Sequence, residues 1–157
     1  ARRFPDCLIL LIGHDQCRAG RQLSGLPNVR LTGELPYARL PHYLHGFDVC
    51  ILPFLRIPLT LATNPVKVYE YLSAGKPVVS VSLPEMEAIS DLVTVAGNEA
   101  EFLRGIDEAL AEGEATTARG ALRQAFAASQ TWTQRGEMLR RAVEVNCTPQ
   151  DPLELIG

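Results

Sequence analysis

The segment from Asn64 to Ser80, NPVKVYEYLSAGKPVVS, constrains the fold of this 157-residue chain more tightly than any other. Asn64 is a favourable helix cap, and Pro65 suits a first helical position, where its missing N–H is no loss. Gly75 is the residue type that most often ends a helix, and Pro77 to Val81 follows as a short apolar strand. A short helix delivered by a glycine stop into a buried strand is one unit of a parallel α/β sheet.

Similar apolar runs recur along the chain. Cys7 to Ile12 is apolar throughout, as strands covered on both faces are, and Val29–Thr32, Val49–Leu52 and Leu92–Val95 are further strand candidates. Helical turns are expected near Arg18–Leu23 and Glu85–Ser90, with a short helix over Ala38–Leu44 interrupted near Pro41. From Asn98 the pattern is wholly helical. A first helix reaches Ala111 with Phe102, Leu103, Ile106 and Leu110 on its core face, and a second spans Thr117–Ser129. A third covers Thr133–Val145 with Met138, Leu139 and Val143 facing inward and Trp132 packed at its entry. The alternation predicts an α/β fold: a Rossmann-like parallel sheet with helices on both faces and a helical C-terminus. One domain over residues 1–146 and a tail or linker over 147–157 follow from it.

With 46% hydrophobic and 21% charged residues, the chain is globular rather than disordered. A net charge of -3 argues against a nucleic-acid binder, which normally shows a basic face. No apolar run reaches the roughly 18 residues of a membrane span. The four cysteines are scattered without CxxC spacing, which points to a reduced cytosolic compartment and away from a metal site. His42 and His45 are three apart but lack a third ligand, so they read as surface residues. Glu85 and Glu87 read as a solvated helix start, and Arg135, Arg140 and Arg141 as an exposed basic face.

Lys67 and Glu70 carry the chemistry. In open parallel sheets ligands bind beyond the carboxyl ends of the strands, where Gly13, Gly33 and the 53–64 loop all fall. A helix starting there offers the free N–H groups of Val66 and Lys67 and the positive end of its dipole to an anion. Lys67 adds a full charge, which suits a diphosphate. Glu70, one turn later, can accept hydrogen bonds from the vicinal hydroxyls of a ribose. Val66, Tyr69, Leu72 and Ser73 are expected to face the sheet. His14 and Asp15, just past Gly13, are candidates for contact with phosphate or acceptor, and Arg56 is a second phosphate candidate.

The pattern Pro65, Lys67, Glu70, Tyr71, Ala74, Gly75, Lys76, Pro77, Val78, Val79 resembles the donor-binding motif of GT-B glycosyltransferases of the group-1 type, which build bacterial polysaccharides. NVRLTGELPYARLPHYLHGFDVCILPF, from Asn28 to Phe54, is similar to the same family. The resemblance covers residues 5 to 146 and implies the nucleotide-sugar-binding half of a two-domain enzyme, usually the C-terminal one. It implies that Lys67 holds a donor phosphate, that Glu70 holds the ribose, and that Glu34 and Leu35 after Gly33 frame a base, usually uracil. Tyr69, Tyr71 and Lys76 take packing and helix-end roles.

Many relatives carry a second glutamate eight residues earlier; here that position is Ala62, and Phe54 to Thr63 contains no carboxylate. Thr60, Thr63 and Asn64 are left to meet the sugar as neutral groups. The first strand of this half is expected to lie upstream, with an N-terminal acceptor domain of roughly 180 to 220 residues that carries the catalytic groups. No cofactor or metal is expected, and the location implied is cytoplasmic, with peripheral association at the inner membrane face a further expectation for the full-length protein. A nucleotide-sugar 2-epimerase, a non-catalytic nucleotide-binding domain and a flavodoxin-like module are the competing readings. Of these, the epimerase needs cleft carboxylates that the loop lacks, and the flavodoxin-like module needs a loop that Gly13-His14-Asp15-Gln16 fits poorly. The donor sugar, acceptor, stereochemical outcome and oligomeric state are not legible.

Overall fold

The computed structural model describes residues 1–16, 18, 20–112 and 117–146; the expected tail over 147–157 lies outside them. Its architecture is α/β, with parallel strands flanked by helices. Strands β1 (Ile9–Ile12) and β2 (Val29–Gly33) pair in parallel, Ile9 opposite Val29, with a register slip that sets Ile12 opposite Gly33. Strands β3 (Cys50–Leu52), β4 (Val78–Val81) and β5 (Thr94–Ala96) form a second parallel group in that order. The single sheet expected from sequence is thus divided into two hydrogen-bonded groups. An apolar run specifies that a strand is covered on its faces, not which strand lies along its edge.

The helices are α1 (Gly20–Leu23), α2 (Leu40–His45), α3 (Pro58–Leu61), α4 (Val66–Ser73), α5 (Pro84–Glu87), α6 (Glu99–Glu112), α7 (Thr117–Ala128) and α8 (Trp132–Asn146). A 3-10 turn over Tyr37–Arg39 leads into α2, and Pro41 sits in the first turn of that helix rather than breaking it. The core gathers around β3, β4 and α4: Leu52, Val68, Leu72, Val78, Leu83 and Met86 are almost wholly buried. Helix α6 approaches β4 and β5 at Gly105, where a Cβ atom would lie 2.9 Å from Thr94 Cγ2. Only a glycine admits that approach.

The C-terminal helices depart from the expected packing. Trp132, Met138, Leu139 and Val143 are all exposed. A helical period marks an apolar face without saying that a partner covers it. Helix α8 is tied back instead through Arg135, which donates to the Tyr69 hydroxyl at 3.0 Å and lies 5.1 Å above its ring. Tyr69 in turn stacks on Phe126 of α7. Cys7 and Cys50 are free thiols; Cys17 and Cys147 lie outside the described residues.

Candidate functional site

Helix α4 starts one residue later than its sequence suggests. Pro65 has a helix-compatible φ of -71° but an extended ψ of 108°, so it is the cap and Val66 the first helical residue. Asn64 therefore makes no capping bond, and its Oδ1 is buried without a hydrogen-bond partner. The first helical bond runs from the Val68 N–H to the Pro65 carbonyl at 3.1 Å. The N–H groups of Val66 and Lys67 precede it and point out of the helix start. The other end stops as the sequence requires. Gly75 takes φ +73°, and the Lys76 N–H returns to the Tyr71 carbonyl at 3.1 Å, closing the helix with a left-handed glycine.

The faces of α4 need one correction. Val68 and Leu72 are the residues turned into the core, while Val66 is 54% exposed and Ser73 is exposed. At 100° per residue, Val68 and Leu72 lie four apart on one stripe, whereas Val66 and Ser73 fall outside it. Lys67 is exposed and Glu70 half-buried on the side that faces β1 and β2.

A cavity of about 400 Å³ opens there. The ends of β1 and β2 contribute Gly13, His14, Glu34 and Leu35, and α4 contributes Lys67, Glu70 and Tyr71. Leu40, Leu44 and Phe47, on and just after α2, with Leu10 and Ile12 of β1, form its apolar wall. Six residues singled out from sequence thus line one cavity: Gly13, His14, Glu34, Leu35, Lys67 and Glu70. Gly33 lies just outside the lining, where its carbonyl accepts the Gly13 N–H at 2.9 Å and pins the two strand ends together.

Other candidates are not brought into the lining. Thr63 donates to the Leu59 carbonyl at 2.7 Å, at the end of α3. Thr60 donates to the carbonyls of Leu55 and Ile57 and accepts the Ile57 N–H. Both hydroxyls are therefore engaged within their own loop. Arg56 is exposed and away from the cavity. Asp15 accepts the Gly20 N–H at 2.8 Å, which serves the start of α1. His42 and His45 are exposed, and among the described residues no group of three His, Cys, Asp or Glu is placed to hold a metal ion. Lys76 donates to the His45 carbonyl at 2.8 Å, across the end of α2.

Two aromatic residues escaped the sequence reading as parts of this site. Tyr71 lines the cavity, and burial, then Cys50 and Glu70, push its phenol up to about 12. Tyr37 donates its hydroxyl to Glu70 Oε1 at 3.2 Å. The Glu70 charge and that hydrogen bond raise the Tyr37 phenol above its ordinary value, so it stays a donor throughout the neutral range. A signal for Tyr37 existed: it stands two residues beyond the strand-end pair Glu34–Leu35.

The electrostatics of the lining are uneven. Lys67 and the start of α4 attract an anion, while Glu34 and Glu70 repel one and accept hydrogen bonds from hydroxyls. A ligand with a charged end and a hydroxylated end therefore has one favourable orientation, with its anion against Val66 and Lys67. A second cavity of similar volume lies where Thr94 meets α6 and is lined by Glu112 and Arg119; none of the residues above enters it.

Parallel strands flanked by helices, with a helix start and a cavity beyond the strand ends, define an α/β domain of Rossmann-like class. Residues 1–112 match the family of glycosyl transferases group 1, and the chain belongs to that family. It is also 38% identical over 87 residues to the Bacillus subtilis (strain 168) protein named "Putative teichuronic acid biosynthesis glycosyltransferase TuaH". That match covers 54% of this chain and 22% of the relative, so the chain spans about a fifth of the relative's length. No helix among the described residues is long and apolar enough to cross a membrane.

Proposed function

We propose that this chain is the donor-binding half of a glycosyltransferase that moves a sugar from a nucleoside diphosphate, UDP by preference, to a glycan or lipid-linked acceptor. The observation that carries the reading is the single cavity shared by Lys67, Glu70, Glu34 and Leu35. The diphosphate lies against Lys67 and the N–H groups of Val66 and Lys67. The ribose hydroxyls meet Glu70 one turn along, and the base reaches the Glu34–Leu35 backbone at the end of β2. With Thr60 and Thr63 engaged in their own loop and Ala62 in place of a carboxylate, the donor sugar is held by groups outside this helix, His14 at the cavity edge among them.

The same reading assigns the edges of β1 and β3 that are unpaired among the described residues to a strand supplied by residues upstream. The Ile9 N–H goes to the Asn28 carbonyl and the Gly13 N–H to the Gly33 carbonyl, so Leu10 and Ile12 turn their backbone groups to the other edge. In β3 the Cys50 N–H goes to the Pro77 carbonyl, which leaves Ile51 facing away from β4. One parallel strand between them joins the two groups into one sheet. The exposed apolar face of α8 fits against an acceptor-binding domain of the same protein.

Titration of the intact protein with UDP tests the site. Lys67→Ala and Glu70→Ala each remove a charged hydrogen-bonding group and are expected to weaken binding roughly ten- to hundredfold. If both variants bind as tightly as wild type, the cavity is not the donor site.

A further inference from the structure

Tyr37 is the most exposed aromatic residue touching the site. The residue is 74% exposed, yet its hydroxyl is held by Glu70, 33 positions away in sequence. Pro36 precedes it at φ -53° and the 3-10 turn follows, so the backbone on either side is fixed. Among the described residues no ring or cation stacks on Tyr37. The side chain is thus rooted beside Leu35 and anchored at its tip on Glu70. Tyr37 is not itself part of the cavity lining, but a nucleoside with its base at Glu34–Leu35 and its ribose on Glu70 would span the same two points, alongside this ring.

The geometry points to Tyr37 as a further binding residue, whose ring stacks on the base of a nucleotide held by Glu70. This deepens the donor-site reading above and rests on Glu70 as the ribose ligand. Aromatic stacking is nearly indifferent to base identity, because every base has a π face. Tyr37 therefore strengthens nucleotide binding without selecting the base, and selection falls to the backbone after Gly33. The hydrogen bond to Glu70 keeps the ring in place before the ligand arrives, so little side-chain freedom is lost on binding.

Three variants of the intact protein, titrated with UDP, test this. Tyr37→Ala is expected to bind roughly tenfold more weakly, and Tyr37→Phe within about threefold of wild type because the ring remains. Thermal unfolding of both should match wild type, since the ring is largely solvent-exposed. Equal or tighter binding by Tyr37→Ala overturns the proposal and makes Tyr37 a plug that the ligand displaces. Equal losses in Tyr37→Phe and Tyr37→Ala also overturn it, by showing that the hydroxyl rather than the ring matters. Glu70→Ala separates the two levels. If it loses UDP while Tyr37→Ala does not, stacking falls and the ribose assignment stands; if Glu70→Ala loses nothing, the ribose assignment falls first.

Discussion

Strands β1 (ILLI) and β4 (VVSV) are both four-residue, mainly apolar runs, yet their surroundings are opposite. In β4, Val78, Val79 and Ser80 are buried almost completely, with β3 and β5 on its edges and α4 and α6 against it. In β1 every residue is only half-buried, and β2 is its one hydrogen-bonded neighbour among the described residues. Hydrophobicity makes a strand, but its neighbours decide how much that strand contributes. The candidate site straddles the difference. Lys67 and Glu70 stand on the densely packed side, where a helix can be held to a fixed geometry. Glu34, Leu35 and Tyr37 come from the more open side, where adjustment to a ligand costs less.

The sharpest way to break this comparison is at Arg123, a buried cation on the dense side. Its side chain is 4% exposed and makes two bonds to Glu112, at 2.6 and 2.9 Å. It also reaches the Gly75 and Leu92 carbonyls at 3.4 Å, linking α7 to the stop of α4. Arg123→Ala leaves the Glu112 carboxylate, 10% exposed, without its main counter-charge. A loss of about 3–5 kcal/mol is expected by denaturant unfolding. A loss under about 1 kcal/mol would mean that the pair behaves as a surface contact and that the dense side is less rigid than its burial implies.

A leucine pair gives the next largest effect and compares the two regions directly. Leu72 on α4 is 0% exposed, and truncation to alanine is expected to cost about 2–5 kcal/mol. Leu10 on β1 is half-buried, and the same truncation should cost about 1–2 kcal/mol. Equal losses at the two positions would abolish the contrast. A cost at Leu10 well below that at Leu72 would sharpen it, by showing that the half-buried strand contributes less to stability.

Much of this architecture was legible because it depends on local physics. Gly75 had to end α4, since a left-handed residue is needed there, and the apolar runs had to be strands. The cluster of Lys67 and Glu70 with the two strand ends followed from the rule that ligands lie beyond the carboxyl ends of parallel strands. What was not legible depends on partners. Asn64 looked like a cap, yet Pro65 is extended at ψ 108° and the helix starts one residue later. Met138, Leu139 and Val143 carried a helical period, yet they are exposed among the described residues. The Arg123–Glu112 pair joins two helices across a connection, and neither residue stands in a pattern that announces the other. Tyr37 became visible only once β2 and α4 were placed side by side.

Cys7 and Cys50, the two free thiols among the described residues, allow the comparison to be followed without perturbing either region. Cys50 is 3% exposed on β3, and burial pushes its thiol up from 9.0 to about 12 despite the nearby charge of Lys76. The thiolate is the nucleophile, so at pH 8 the reactive fraction of Cys50 is about a thousandfold below that of a thiol at 9.0. Cys7, at the entry to β1, is half-exposed to solvent. Labelling with a thiol reagent at pH 8, followed by peptide mass spectrometry, should modify Cys7 before Cys50 and leave Cys50 untouched until denaturant is added. Raising the pH should speed any native-state labelling of Cys50 about tenfold per unit, because each unit below the raised value multiplies the thiolate tenfold. If Cys50 reacts as fast as Cys7 in the native protein, β3 opens as readily as β1. The site then has no rigid side on which Lys67 and Glu70 can be held.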